Sequence, residues 1–388
     1  MYLISFLRKI NMKIYELETP CLILDKDKLI SNIENMDKHI SSLGINIRPH
    51  AKTAKCIDVI KFATRQHCNG ITVSTLKEAE YFFKNGVKNI LYAVGIAPVK
   101  LKHVAELIKK GAEITIILDS IEQAEVVSIK GIELNVNFPV LMEIDVDGHR
   151  SGIKPYDSAL IEIGKYLHDH EGTELRGILT HAGESYNCKT VDEIKQIAVK
   201  ERELMVLSAD MLRKNNLPCP IVSIGSTPTA EFTNNLSGVT EIRAGVYMFK
   251  DLVMAGLGVC SIEDIALSVL ASVIGYQKEK NWIIVDAGWM TLSRDRGTAN
   301  QKIDQGYGLV CDAEGKPFSG LIVSSANQEH GIISHRNGEQ VNFDNFPIGS
   351  LVRILPNHAC ATAAAHDHYN VVSGSADVVD VWQRINGW

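Results

Sequence analysis

Arg48-Pro49-His50-Ala51-Lys52-Thr53 places a lysine where a short apolar strand, carrying Ile45 and Ile47, gives way to a helix. The carboxyl ends of parallel strands are where α/β folds keep their reactive groups, so a lysine at such an end faces toward chemistry. Taken alone, a lysine at a strand end is more often solvated surface. Seven further β-branched runs change that balance. They lie at residues 70–75, 89–94, 113–119, 138–147, 175–183, 221–227 and 240–247, each trailed by Leu, Ile and Val at three-to-four spacing among Lys and Glu. Eight βα units over roughly 230 residues are the arithmetic of a (β/α)8 TIM barrel. A doubly wound parallel sheet is the competing α/β arrangement.

Past residue 265 the helical period disappears. Residues 267–276, 282–287, 321–324 and 350–355 are β-branched runs broken by Gly, Asn, Asp and Pro, the texture of a separate C-terminal, mostly-β domain. The chain thus divides into a lead-in, 1–24, expected to pack with the β domain, a barrel, 25–264, and the β domain, 265–388. Residues 1–11 carry two basic residues around a short apolar patch and no small-residue cleavage site. They read as a dispensable extension, with Met12-Lys13 an alternative start.

Composition narrows the function. Of 388 residues 45% are hydrophobic and 22% charged, and the net charge of −6 argues against a nucleic-acid surface. The longest apolar runs are too short or too interrupted to span a bilayer, so no membrane partner is expected. Eight cysteines without a C-x-x-C pair or regular framework suit reduced thiols and a cytoplasmic location.

The seventh strand ends in Gly225-Ser226-Thr227-Pro228-Thr229 and the eighth in Arg243-Ala244-Gly245-Val246-Tyr247. In a barrel these two loops form the usual phosphate site, and small residues let the backbone approach the anion. A lysine on strand one and a phosphate cradle at strands seven and eight are the two anchors that pyridoxal phosphate needs, an amine for its aldehyde and donors for its phosphate. A second constellation is His358-Ala359-Cys360. Read as a β segment, it points alternate residues to one side, so imidazole and sulfur converge on one ion, and that donor pair suits zinc. Two protein ligands leave the site open, as a Lewis-acid role requires. His366 and His368 are a second, weaker metal pair.

The chain resembles the D-serine dehydratase / D-threonine aldolase family of fold type III pyridoxal-phosphate enzymes, whose N-terminal domain is similar to that of alanine racemase. The resemblance runs from Thr19 to Asn370. It rests on residues 48–55, on Asp145-Val146-Asp147-Gly148-His149-Arg150-Ser151-Gly152, on His181-Ala182-Gly183-Glu184-Ser185-Tyr186 and on residues 225–229. In the C-terminal half it rests on Asp286-Ala287-Gly288-Trp289, Glu329-His330-Gly331 and Pro356-Asn357-His358-Ala359-Cys360. It implies that Lys52 forms the Schiff base, with Arg150 near the cofactor's phenolic oxygen. Tyr186, Ser226, Thr227, Gly245 and Tyr247 would hold the cofactor, mainly at its phosphate. Lys55 is the competing lysine. Arg243 sits where the racemases set an arginine against the pyridine nitrogen, and a salt bridge to Glu241 or Asp251 is its other reading. At position 360 the dehydratase branch has His-x-Cys and aldolases tend to have His-x-Asp.

The implied function is a pyridoxal-phosphate and metal-dependent, D-serine dehydratase-like lyase. It would act on a small D-amino acid with a β-hydroxyl, giving a 2-oxo acid and ammonia. D-serine, D-threonine and 3-hydroxy-D-aspartate all fit. Retro-aldol cleavage to glycine and an aldehyde is the alternative, followed by a racemase and a non-catalytic cofactor carrier, which would lack the β domain. The resemblance also implies a homodimer. Trp289, Arg294 and Asp295 read equally as a substrate border or a turn with an internal ion pair. Glu329, His330, His50, His149 and His181 have roles left open.

Overall fold

The computed structural model describes residues 12–65, 68 and 70–388. The extension read at residues 1–11 lies outside them. Contacts divide the chain into two compact units: one holds Ile33–Tyr247 with Ile385–Trp388, the other residues 12–32 with Met248–Arg384. The boundary read at 264/265 thus falls inside the second unit. Asn32, on the helix Lys26–Ser42 that follows the lead-in, shows why, since its side-chain amide donates to the carbonyls of Met248 and Asp264 and ties the start of that helix to this stretch.

The first unit is an eight-stranded parallel sheet. Its strands are Asn46–Pro49, Ile71–Val73, Asn89–Gly95, Glu113–Leu118, Phe138–Glu143, Thr173–Leu179, Ile221–Ile224 and Glu241–Ala244. They pair in sequence order, and the last lies beside the first with Arg243 opposite Arg48. Isolated bridges Ile47 to Cys68 and His50 to Thr72 bring the first strand to the second, which nearly closes the barrel and excludes the doubly wound order. Each of the eight predicted runs overlaps one of these strands. Leu91, Ile117, Leu141 and Leu179 come from four neighbouring strands and form one buried cluster. Alternation puts Glu143 and Ser223 on the same face as Leu141 and Ile221, so this interior turns polar toward one side. There the Arg48 guanidinium donates to Glu241 at 2.9 Å, with both side chains buried.

The intervening helices start on side-chain caps. Thr75, Ser120 and Thr190 each accept the N–H three residues on, and Thr190 with Glu193 completes a capping box. In the long helix Val191–Lys214, the residues Ile194, Ala198, Glu201, Met205, Ala209 and Leu212 form its buried stripe.

The second unit is a ten-stranded, mostly antiparallel sheet. Leu351–Leu355 pairs with both Leu267–Gln277 and Leu309–Cys311, so six of its strands form a closed circuit. Cys21–Asp25 and Met12–Lys13 add to that sheet. No disulfide forms among the described residues, and no described helix is long and apolar enough to cross a membrane.

Candidate active site

Lys52 lies in the turn after the first barrel strand, with its residue exposed and no carboxylate partner among the described residues. Lys55 differs. Its ammonium is held 3.3 Å from the buried Glu78 carboxylate, so the competing lysine is committed to an ion pair. Two imidazoles flank Lys52. His50 accepts the Lys52 N–H weakly at 3.4 Å through Nδ1, and His181 donates from Nδ1 to the Gly225 carbonyl at 3.1 Å. Burial, then the neighbouring Lys52 charge, pull both below the ordinary imidazole range, His181 to about 3. Both rings are neutral at physiological pH.

Arg243 reaches from the last strand into the barrel interior, donating to Ser223 Oγ at 2.7 Å and to the Thr180 carbonyl. The salt bridge read to Glu241 does not form, because that carboxylate is taken by Arg48 and Ser223. Asp251 is likewise spent, on the N–H groups of Met254 and Ala359. Arg150 is more exposed than the rest, in the loop after the fifth strand, 3.7 Å from Glu143.

At the end of the seventh strand, Gly225 has a φ of +127°, and a Cβ there would strike the Arg243 carbonyl. Only glycine fits that turn. Ser226 then caps the helix Thr227–Phe232, and its hydroxyl sits 2.8 Å from Ser185 Oγ and 3.0 Å from Thr229 Oγ1. A Cβ on Gly245 would lie 2.9 Å from Thr53 Oγ1 and 3.0 Å from the His50 carbonyl, so the eighth loop also passes close to the lysine turn. Tyr247 donates its backbone N–H to Thr227 Oγ1 at 3.2 Å. Its side chain is fully buried, and burial, with Cys68 and Asp37 near, pushes its phenol up. Tyr247 thus meets the cradle through its backbone. Tyr186 lies beside His181, with ring centroids 6.1 Å apart. Close-approach glycines, clustered hydroxyls, an exposed amine and a buried guanidinium are the donor set an anionic aldehyde cofactor such as pyridoxal phosphate requires.

Sequence reasoning misses Glu201 and Ser185 as site residues. Glu201 is buried on the long helix, accepts the Gly225 N–H at 2.8 Å, and its second oxygen has no hydrogen-bond partner among the described residues. Burial pushes its pKa up to about 7 against the lowering effect of that N–H. The sequence does carry a signal, since position 201 is in phase with the apolar stripe of its helix.

In the β unit, His358 and Cys360 do converge, but not as a β segment. His358 is the extended residue that starts a short helix, Ala359–Ala363, and Cys360 lies in its first turn. The helix begins there because Asp251, 108 residues earlier, accepts the Ala359 N–H at 2.9 Å. His358 Nδ1 bonds Asp295 at 2.6 Å, with both side chains about two-fifths exposed. Burial would lower the basicity of His358, yet hydrogen bonds to Asp295 and Cys360 push its pKa up to about 11. An imidazole oriented by a carboxylate, paired with a thiol, fits a zinc-type metal. Among the described residues no group of three or more potential ligands assembles, so water or substrate would complete the coordination. His366 instead bonds Thr291, at 3.0 Å to its hydroxyl, and His368 bonds Asp367, so that pair does not converge on an ion. Arg294 stacks on Trp289 at 3.8 Å. Glu329 and His330 are exposed on a loop of the same unit.

Both units have counterparts in known proteins. The sequence matches the alanine racemase N-terminal domain over residues 24–253 and a serine dehydratase domain over 266–372. This is a fold type III pyridoxal-phosphate enzyme. Within that class the chain belongs to the D-serine dehydratase / D-threonine aldolase family and is a lyase. D-threo-3-hydroxyaspartate dehydratase from Delftia sp. (strain HT23) is 48% identical over 96% of this chain and 98% of its own length. Its solved structure superposes with a TM-score of 0.95 over 97% of this chain and all of that one, and a cysteine-to-alanine mutant of it is described as a metal-free form. D-serine dehydratase from Dictyostelium discoideum is 32% identical over 97% of this chain and 99% of its length. D-threonine aldolase from Filomicrobium marinum, 25% identical, has a TM-score of 0.82 over 97% of this chain and 98% of its own.

Proposed function

We propose that this lyase is a dehydratase of D-3-hydroxy amino acids, dependent on pyridoxal phosphate and a divalent metal, with D-serine and 3-hydroxy-D-aspartate as candidate substrates. The observation that carries the reading is the His358–Cys360 pair, oriented by Asp295. The 48% identity to a dehydratase and the metal-free form of that protein's cysteine mutant support it.

When bound, the cofactor would supply an electron sink for the Cα–H bond, and the metal a Lewis acid for the β-hydroxyl. Lys52 would hold the cofactor aldehyde, and its amine is the group that would take the Cα proton. Ser226, Thr227 and the backbone of Gly245 and Tyr247 hold the phosphate, with Ser185 fixing the Ser226 hydroxyl. Tyr186 and Arg150 border the ring. Arg243, a buried guanidinium held by Ser223 and the Thr180 carbonyl, would face the pyridine nitrogen and disfavour its protonation. Asp295 keeps the proton of His358 on Nδ1, which leaves the Nε2 lone pair for the metal. Imidazole with thiolate favours zinc. A homodimer belongs to the same proposal, and sedimentation of the purified protein tests it: a fully active monomer removes it.

Proton NMR of the products from D-serine, D-threonine and D-threo-3-hydroxyaspartate tests the reaction. Pyruvate, 2-oxobutyrate or oxaloacetate supports elimination. Glycine with an aldehyde makes the protein an aldolase, and inverted amino acid alone makes it a racemase.

A further inference from the structure

The turn between Trp289 and Asp295 is built under strain. Ser293 has φ 79° and ψ 154°, a region that side-chain-bearing residues rarely occupy. It is held there from two sides, by its N–H on the Trp289 carbonyl at 3.0 Å and by its hydroxyl, which accepts the Asp295 N–H at 3.0 Å. The helical turn it ends is itself anchored, since Trp289 and Met290 donate to the carbonyls of Asn327 and Gln328. Two side chains are thereby fixed in succession. Asp295 aims His358, and Arg294 sits over the Trp289 ring with its guanidinium carbon 3.8 Å from the centroid.

Asp295 is flanked by two arginines with different fates. Arg296 is paired with Asp304 at 2.5 Å. Arg294 is exposed and, among the described residues, has no carboxylate partner. Stacking leaves the in-plane N–H fork of a guanidinium unused, which is the geometry that binds a carboxylate through two parallel hydrogen bonds. Its position matters because of substrate chemistry. In 3-hydroxyaspartate the hydroxyl and the distal carboxylate share one carbon, so the groups that recognise them must be neighbours. Arg294 is the residue next to the carboxylate that orients His358.

We propose that Arg294 is a specificity-determining residue that binds an anionic substituent on the β-carbon, and so selects dicarboxylic 3-hydroxy amino acids over D-serine. This rests on the dehydratase reading. In the holoenzyme, Arg294→Ala should lower the ratio of kcat/KM for D-threo-3-hydroxyaspartate to that for D-serine about 10- to 100-fold, the usual worth of a charged hydrogen-bonded pair. Arg294→Lys should recover only part of it, because an ammonium lacks the fork. A second readout needs no turnover: calorimetric binding of malate, compared with 3-hydroxybutyrate, in which a methyl replaces that carboxylate. Arg294→Ala should weaken malate by the larger factor. An unchanged substrate ratio, or equal weakening of both probes, overturns the proposal. If the wild-type holoenzyme turns over neither substrate, the dehydratase reading fails, and the malate comparison still decides the role of Arg294.

Discussion

Around Lys52 each functional group is delivered by the end of a barrel strand, whereas around His358 the groups are delivered by turns and held by a carboxylate. The barrel's register sets Arg243 beside Arg48 and Ser223, and a glycine-only turn sets Ser226. These positions are over-determined by the sheet. In the β unit, one extended residue, one helical turn and the Asp295 oxygen at 2.6 Å do the same work with side chains two-fifths exposed. The first arrangement suits a large cofactor that is held throughout, the second an ion whose remaining positions must stay open. Removing single groups should therefore cost the two regions different things.

The largest effect is expected at Lys52. Lys52→Ala should abolish the visible absorbance of the bound cofactor and lower turnover at least about 1,000-fold. Lys55→Ala is the counter-test: it should keep that absorbance and instead lower thermal stability, because Glu78 loses its partner. The reverse pattern would exchange the two lysines and break the assignment of the barrel site.

Cys360→Ala should separate the regions. Metal content measured by atomic absorption should fall to background and elimination should drop by about 100- to 1,000-fold, while the cofactor spectrum persists. Full activity without metal would remove the Lewis-acid role from this chain. Asp295→Asn should act more gently, weakening metal affinity about 10- to 100-fold in a competition titration with a coloured chelator. An unchanged affinity would mean that His358 needs no orienting carboxylate.

The same contrast explains what is readable in the sequence. Barrel strands announce themselves by β-branched runs, and their carboxyl ends by the small and polar residues just past them, so the turns that carry Lys52 and Gly225-Ser226 stand out in the sequence, while the roles of those residues come from the resemblance. The long-range caps do not stand out. Cys360 reads as part of a β segment because nothing near it announces Asp251, whose carboxylate starts the helix from 108 residues away. Asp295 lies 63 residues from His358 and reads equally as a turn residue. The resemblance implies a cofactor-holding role for Tyr247 without saying by which group; its phenol is buried and its backbone N–H meets Thr227. Glu201 sits between Lys200 and Arg202 in a helix rich in charge, and only its phase with Ile194, Ala198 and Met205 marks it as internal.

Glu201 also supplies the smallest of these effects. Its native pKa of about 7 lies above its ordinary value of 4.5, so between those pH values the folded chain binds a proton that the unfolded chain has released. Stability from this group is fully present below the lower value and is lost as pH rises through the upper one. Going from pH 5 to pH 8 should therefore lower the unfolding free energy of the wild type by about 2 kcal/mol more than that of Glu201→Gln, which cannot ionise. Urea denaturation of both proteins at the two pH values measures this difference. Equal losses would show that the carboxyl ionises as freely in the folded barrel as in the unfolded chain, and that the hydrogen bonds it accepts together with the Arg243 charge offset its burial. A variant that cannot accept that bond, Glu201→Leu, should in addition loosen the Gly225 turn and weaken cofactor binding, while leaving metal binding at His358 and Cys360 unchanged.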